Sequence, residues 1–209
     1  MAAGSYEFSV DYFAAHVPAW EQILNLRKPS RIVEVGSYEG RSASFVIDRI
    51  AQQRPLELWC IDTWQGSVAP GHDPASMENA QLRFDHNIEL AKSRAKFPAT
   101  VNKMRGRSDD GLARLLADGH RESMDLIYID GSHEAPDVLT DAAMAFPLLG
   151  VGGVMIFDDY TWFLGSQTER DPLQMPKPGI DAFLNLFTRK MCLIYGAPIV
   201  QIYAEKTSV

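Results

Sequence analysis

The stretch Arg31-Ile32-Val33-Glu34-Val35-Gly36-Ser37-Tyr38-Glu39-Gly40 decides how the chain is read. Residues 31–35 form a short β-branched run, which suits a buried strand. Gly36 and Gly40 then bracket a tight turn. Glycine lets the backbone take left-handed dihedrals and lets a ligand approach it closely. Residues 42–53 follow with apolar side chains at helical spacing (Phe45, Val46, Ile50). The turn therefore joins a strand to a helix whose first N–H groups are free to face a ligand. The full Gly-x-Gly-x-x-Gly spacing of a dinucleotide fingerprint is absent. Instead an acid, Glu34, stands two residues before Gly36, which suits a cationic or amine-bearing ligand better than a pyrophosphate.

Outward from this turn the chain alternates between strand and helix. Before it, helical stretches are expected over 10–16 and 19–26, with Pro18 as the break. After it come apolar runs over 56–61, 100–104, 125–129 and 153–157. Helical patterns over 77–95, 109–117 and 136–149 separate them, with Ser108 as N-cap of the second and Gly150 ending the third. A helix over 180–189 precedes two runs, 191–195 and 199–204, joined by Gly196-Ala197-Pro198, a link that suggests a hairpin. The expected fold is α/β: a Rossmann-like, doubly wound, mainly parallel seven-stranded sheet ending in an antiparallel hairpin, with helices on both faces. One domain over 1–209 is expected, a helical segment over 1–28 preceding a core over 29–209.

Bulk composition narrows the function. An apolar fraction of 46% and 209 residues allow one domain with a full core. A net charge of -7 argues against a nucleic-acid surface, which needs Lys and Arg for phosphates. No apolar run is long enough to span a bilayer, and the N-terminus does not read as a secretion signal. Cys60 and Cys192 lie in strand-like runs and read as buried free thiols, so a cytoplasmic location is expected.

Acids recur at the expected strand ends: Glu34, Asp62, Asp130, Asp158 and Asp159. Ligands of such sheets bind beyond the carboxyl ends of the strands, so this edge reads as the functional site. Asp62 is placed to accept from ribose hydroxyls, of NAD and S-adenosylmethionine alike. S-adenosylmethionine carries a sulfonium and an ammonium and no phosphate, which suits Glu34. Asp130, Asp158 and Asp159 follow neighbouring strands, and three hard oxygen ligands with open positions suit Mg²⁺, Mn²⁺ or Ca²⁺. His133, three residues past Asp130, is a candidate general base. Asp141 lies further along the next helix, where a solvated face is expected.

The run Glu34 to Ser42 resembles motif I of class I methyltransferases, especially the small metal-dependent O-methyltransferases of the catechol and macrolide-sugar type. The resemblance covers roughly residues 31–160. It implies that Glu34, Gly36, Tyr38, Gly40 and Ser42, with Ser37 between them, line the methionine part of S-adenosylmethionine. It implies Asp62, with Thr63 beside it, for the ribose, and Ser108-Asp109 for the adenine edge. It further implies Asp130, Asp158 and Asp159 as metal ligands, with Asp130 also touching the cofactor.

Two loop-like segments, 64–76 and 161–179, follow strands at the same edge. Trp64 could stack on the adenosine, and Trp162 and Phe163 could shape an acceptor pocket. The alternative is that these aromatics pack the loops onto the core. Together with Tyr12, Phe13 and Trp20 they could also bury a homodimer contact. The leading expectation is metal-dependent O-methylation of a small hydroxylated acceptor, a sugar or a phenol. Metal-independent N- or O-methylation, a nicotinamide-dependent oxidoreductase and a non-catalytic cofactor-binding module stay open.

Overall fold

The computed structural model describes residues 4–66, 74–166 and 170–209. Ile32, Val33 and Val35 lose essentially all solvent contact, because β1 (Arg31–Val35) is an interior strand. It pairs in parallel with β2 (Leu56–Asp62) on one side and β4 (Met124–Ile129) on the other. β3 (Ala99–Arg105) extends the sheet beyond β2, and β5 (Leu149–Phe157) beyond β4. β6 (Met191–Leu193) and β7 (Ile202–Lys206) complete seven strands in the order β3-β2-β1-β4-β5-β7-β6. β7 runs antiparallel to both β5 and β6.

Two apolar layers result from the period of two along the strands. Ile32, Leu126 and Tyr128 face α1 (Val17–Arg27), α2 (Arg41–Ile50) and α3 (Pro74–Arg94), through Trp20, Phe45 and Phe84. Val33, Ile127 and Ile129 face α4 (Ser108–Ala117), α5 (Ala135–Ala145) and α6 (Pro176–Leu186), through Leu112, Val138 and Phe183. The order reverses between β1 and β4, and this switch point opens a crevice at the strand ends.

Several boundaries move from expectation for identifiable reasons. Pro18 opens α1 instead of breaking a helix, since the first turn needs no proline N–H. The stretch over 10–16 is helical only as a 3-10 turn, Ala14–His16, where Asp11 accepts from the N–H groups of Phe13 and Ala14. Ser108 is the first residue of α4 and makes no cap; Arg107 holds the N-cap position. α5 stops at Ala145, before Pro147, and Leu149 opens β5. α6 starts at Pro176, because Pro178 also falls within its first turn.

The final link runs from 194 to 201, longer than the three residues expected. Gln201 is drawn inward, where it accepts from Trp20 Nε1 at 3.1 Å and from the Tyr203 hydroxyl. Ile199 and Val200 are thereby left exposed. Cys192 sits on the sheet edge and is exposed, against expectation, while Cys60 is buried; both are free thiols. Lys206 is fully buried: its Nζ donates to the carbonyls of Leu149 at 2.7 Å and Phe146 at 3.2 Å. Burial holds its pKa below the usual lysine value. No helix among the described residues is long and apolar enough to cross a membrane.

Candidate active site

The crevice is a cavity of about 630 Å³, within the range of roughly 300–1,000 Å³ usual for small-molecule sites. Its lining includes Gly36, Tyr38, Asp62, Thr63, Ser108, Asp130, His133, Asp158, Asp159 and Trp162. These were all expected near a cofactor or acceptor. Glu34, Ser37, Gly40, Ser42, Trp64 and Asp109 do not line it, and each has a different task.

Glu34 lies beneath the turn, only 3% exposed. Its oxygens accept from the Ser37 hydroxyl at 2.6 Å and from the Ser42 hydroxyl. Burial pushes its carboxyl above the usual range. It is a strut that fixes the turn from below, and it does not line the cavity where a cationic ligand was expected to meet it. Asp62 braces the turn from the side. It accepts from the N–H of Ser37 and of Tyr38, each at 2.8 Å, and from Trp64 N–H at 2.7 Å. A carboxylate has about four lone-pair sites, so room for a further hydroxyl remains but not for several. The Trp64 indole turns inward, donates to the Tyr38 carbonyl at 2.8 Å and packs on Phe84. Stacking on an adenosine is thus replaced by packing the loop on the core. Residues 67–73 of that segment lie outside the described residues.

The glycines of the turn earn their identity by geometry. Gly36 has φ of 83° and Gly40 of 73°. At Gly36 a Cβ would fall 1.9 Å from the Asp130 carbonyl oxygen, since β1 and β4 meet there.

At the far end the acids separate into two groups. The Tyr128 hydroxyl bridges Asp130, at 2.8 Å, and Asp158. A hydroxyl carries one proton, so it cannot donate to both carboxylates. Burial, together with the charges of Asp158 and Asp159, holds Asp130 well above the usual carboxylate range. A protonated Asp130 donating to Tyr128, and Tyr128 to Asp158, satisfies the chain. Asp158 also accepts from Gln201 Nε2 at 2.8 Å and from Asp159 N–H at 2.7 Å. His16, at the start of α1, stands 3.8 Å from it.

Asp159 turns the other way. It adopts φ of 55°, a conformation that Asp tolerates better than most residues. Its Oδ2 lies 2.7 Å from His133 Nε2. This partner assigns the ring proton to Nε2 and leaves the Nδ1 lone pair basic. His133 Nδ1 is buried without a hydrogen-bond partner, and the Trp162 ring lies 4.2 Å from the imidazole.

The three acids expected to cage a metal do not do so. No group of three or more Asp, Glu, His or Cys side chains among the described residues is arranged to hold a cation. The physical reason is visible in the donors: Asp158 is committed to Tyr128, Gln201 and a backbone N–H, and Asp159 to His133. As arranged, this donor set does not fit a divalent cation, and no step is derived through one.

Sequence reasoning missed His16, Tyr12, Tyr128 and Gln201 at this end. They come from the N-terminal segment, a strand interior and the last link, where no local pattern marks them. The homodimer expectation loses two contacts, because Phe13 and Trp20 are buried in the chain's own core. Asp141, expected on a solvated face, is 1% exposed.

The strand order, the glycine turn on β1 and the acid-lined crevice together define a class I methyltransferase fold. The family described as Methyltransferase domain matches residues 33–160, more than half of the chain, and the chain belongs to that family. Among solved structures, the O-methyltransferase TomG of Streptomyces achromogenes, involved in tomaymycin synthesis and bound to S-adenosylmethionine, is 20% identical with a TM-score of 0.63; the match covers 97% of this chain and 82% of that one. An O-methyltransferase of Bacillus cereus bound to S-adenosylhomocysteine is 16% identical with a TM-score of 0.62, over 98% and 84%. The uncharacterized protein y4gI of Sinorhizobium fredii is 26% identical over 145 residues, 69% of this chain, but the match spans only 14% of that protein's length.

Proposed function

We propose that this chain binds S-adenosylmethionine in the cavity and methylates a hydroxyl of a small acceptor, with His133 as general base. One observation carries the proposal: a histidine whose Nε2 is held by Asp159 at 2.7 Å while its Nδ1 has no partner. The lining supports the cofactor. It holds Asp62, Asp130, Glu134, Asp137, Asp158 and Asp159 against one arginine, Arg107, which is itself paired with Asp109. Such a wall suits a sulfonium and an ammonium, and not a pyrophosphate.

Asp62, Thr63 and Ser108 would hold the adenosine, with Gly36, Tyr38 and Asp130 along the methionine part. When bound, the cofactor supplies an electrophilic methyl group whose sulfur leaves as a neutral thioether. His133 Nδ1 is closed off within the wall, so the wall, which includes Trp162 against the ring, opens to admit the acceptor. Nδ1 then takes the acceptor proton as the oxygen lone pair forms the new C–O bond and the carbon–sulfur bond breaks. Asp159 opposes the charge that appears on the imidazole. Trp162, against the ring, limits its rotation.

Two outcomes are expected. S-adenosylhomocysteine at a hundredfold excess over its Kd raises the melting temperature by roughly 5 °C or more, and NAD does not; scanning fluorimetry checks this, and the reverse result would overturn the proposal. Turnover persists after thorough chelation with EDTA, because the base is a histidine–carboxylate pair; loss of turnover restored by Mg²⁺ would show that the acids rearrange around a cation.

A further inference from the structure

Glu39, inside the glycine turn, is a buried acid that the proposed chemistry does not use. It is 1% exposed and does not line the cavity. Its carboxylate is held from outside the turn. Oε2 accepts from Ser9 N–H at 2.6 Å, and Oε1 accepts from the Ser9 hydroxyl and from Arg83 of α3, each at 2.7 Å. Its carbonyl accepts from Asn87 Nδ2 at 2.9 Å. The same buried amide pairs with the N–H and the carbonyl of Glu7, at 2.8 and 2.9 Å. The turn that would hold the cofactor is thereby tied to the segment before α1. Tyr38, which lines the cavity, adds a direct link: its hydroxyl lies 3.3 Å from Ser9 Oγ.

Beyond Ser9 this segment reaches the acceptor end. Tyr12 and His16 line the cavity, and His16 Nε2 stands 3.8 Å from Asp158 Oδ1. From Ser9 to Tyr12 no side chain is buried; Val10 is 43% exposed and Tyr12 66%. Apolar packing therefore does little to hold Tyr12 in place. The stretch hangs between Phe13, anchored in the core, and the clasp on Glu39. Arg41 meets Asp11 at 3.2 Å between them, but that pair is largely exposed and contributes little. Tyr12 lies three residues from Ser9, a reach of at most roughly 11 Å, so a shift of the clasp is felt at Tyr12.

We propose that Glu39 is a positioning residue that carries cofactor occupancy to the acceptor end: a filled cofactor site fixes the turn, the turn holds Ser9, and Ser9 sets Tyr12 over the acceptor. The inference rests on the S-adenosylmethionine reading above. A cofactor lying along Gly36 and Tyr38 restricts the backbone of the turn. Ordering one side of a contact lowers the entropy lost when the other side docks, so the two events favour each other. The segment then encloses the acceptor and keeps water from that end once the cofactor is in place. Such coupling is reciprocal: if the ligand makes the segment open about tenfold less often, a segment that is always open binds the ligand about tenfold more weakly.

The test is hydrogen exchange of the full chain with and without S-adenosylhomocysteine, in the wild type, Glu39→Ala and Ser9→Ala, with the Kd of each by calorimetry. In the wild type the ligand should slow exchange over residues 7–12 by about tenfold, besides protecting residues 36–40 and 105–109. In Glu39→Ala the slowing over 7–12 should vanish while 105–109 stay protected, and Kd should rise by about the factor of the wild-type slowing. Ser9→Ala is an exposed change outside the turn that keeps the N–H contact, so it should fold as the wild type does and show part of both effects. A merely structural Glu39 would speed exchange with and without ligand alike, and the difference between the two would persist. An undiminished ligand effect over 7–12 in either variant would overturn the inference. So would the absence of that effect in a wild type whose residues 36–40 and 105–109 are protected, and the cofactor reading would stand. No protection anywhere in the wild type would sink the cofactor reading and the inference with it.

Discussion

Gly36→Ala is expected to abolish S-adenosylhomocysteine binding and to leave little or no cooperatively folded protein. The added Cβ would sit 1.9 Å from the Asp130 carbonyl oxygen and 2.8 Å from the Gly131 Cα. Both are backbone atoms and cannot rotate away. They belong to the end of β4, where Asp130 N–H donates to the Val35 carbonyl at 2.8 Å. Relief requires parting β1 from β4 at the centre of the sheet, and Gly36 N–H would also lose the Ile61 carbonyl at 2.8 Å. The cost should exceed about 4 kcal/mol, in the range that only a few mechanisms reach.

Two alanine substitutions separate the causes. Gly119 has φ of 88° and open space around its would-be Cβ, so Gly119→Ala reports the dihedral cost alone, about 1–2 kcal/mol. Gly40→Ala adds a contact of 2.9 Å with Phe84 Cδ2, the edge of a side chain that can shift, and should fall between. Urea denaturation midpoints rank the three. A Gly36→Ala protein as stable as Gly119→Ala would contradict the close approach of β1 and β4.

The same turn shows what the sequence could and could not reveal. Residues 31–40 announce a strand, a tight turn and a helix because each signal is local: β-branched side chains, two glycines and apolar helical spacing. The acids at strand ends were legible for the same reason, since the run lengths of buried strands locate their ends. The direction of each side chain was not legible. Glu34 and Asp62 sit at positions that resemble cofactor contacts, yet Glu34 spends both oxygens on Ser37 and Ser42, and Asp62 holds two N–H groups of the turn. Those assignments depend on packing between segments far apart in the chain.

Asp130, Asp158 and Asp159 make the point more sharply. Their spacing suggested a single cage. Tyr128 in the interior of β4 and Gln201 in the last link, neither marked by any motif, divide them into two groups with different chemistry. Helical spacing marks apolar faces and gives no warning of an acid buried among them, as Asp141 is. The segment before α1 is helical only over Ala14–His16, and its contributions to the cavity, Tyr12 and His16, carry no local signature.

His133→Ala is expected to lower kcat by about 10²–10⁴-fold, the usual contribution of a positioned base, while the affinity for S-adenosylhomocysteine stays unchanged. The split follows from where the groups lie. His133 is at the end of the cavity shared with Asp159 and Trp162, and Asp62, Thr63 and Ser108 are at the other. Asp159 should show its role by the contrast between two variants. Asp159→Asn keeps an oxygen that can accept from His133 Nε2 and loses only the charge that opposes the imidazolium. Asp159→Ala loses both, and leaves the ring free to turn within the limit set by Trp162. The expected order of kcat is wild type, then Asp159→Asn, then Asp159→Ala, with His133→Ala no faster than the last. The double variant His133→Ala with Asp159→Ala should be no slower than His133→Ala alone, because an orienting acid has no task once the base is gone. Rates that multiplied instead would show that Asp159 touches the reacting atoms independently. An unchanged kcat in His133→Ala would remove the base from this site, and the acceptor proton would then have to leave through the group formed by Tyr128, Asp130 and Asp158.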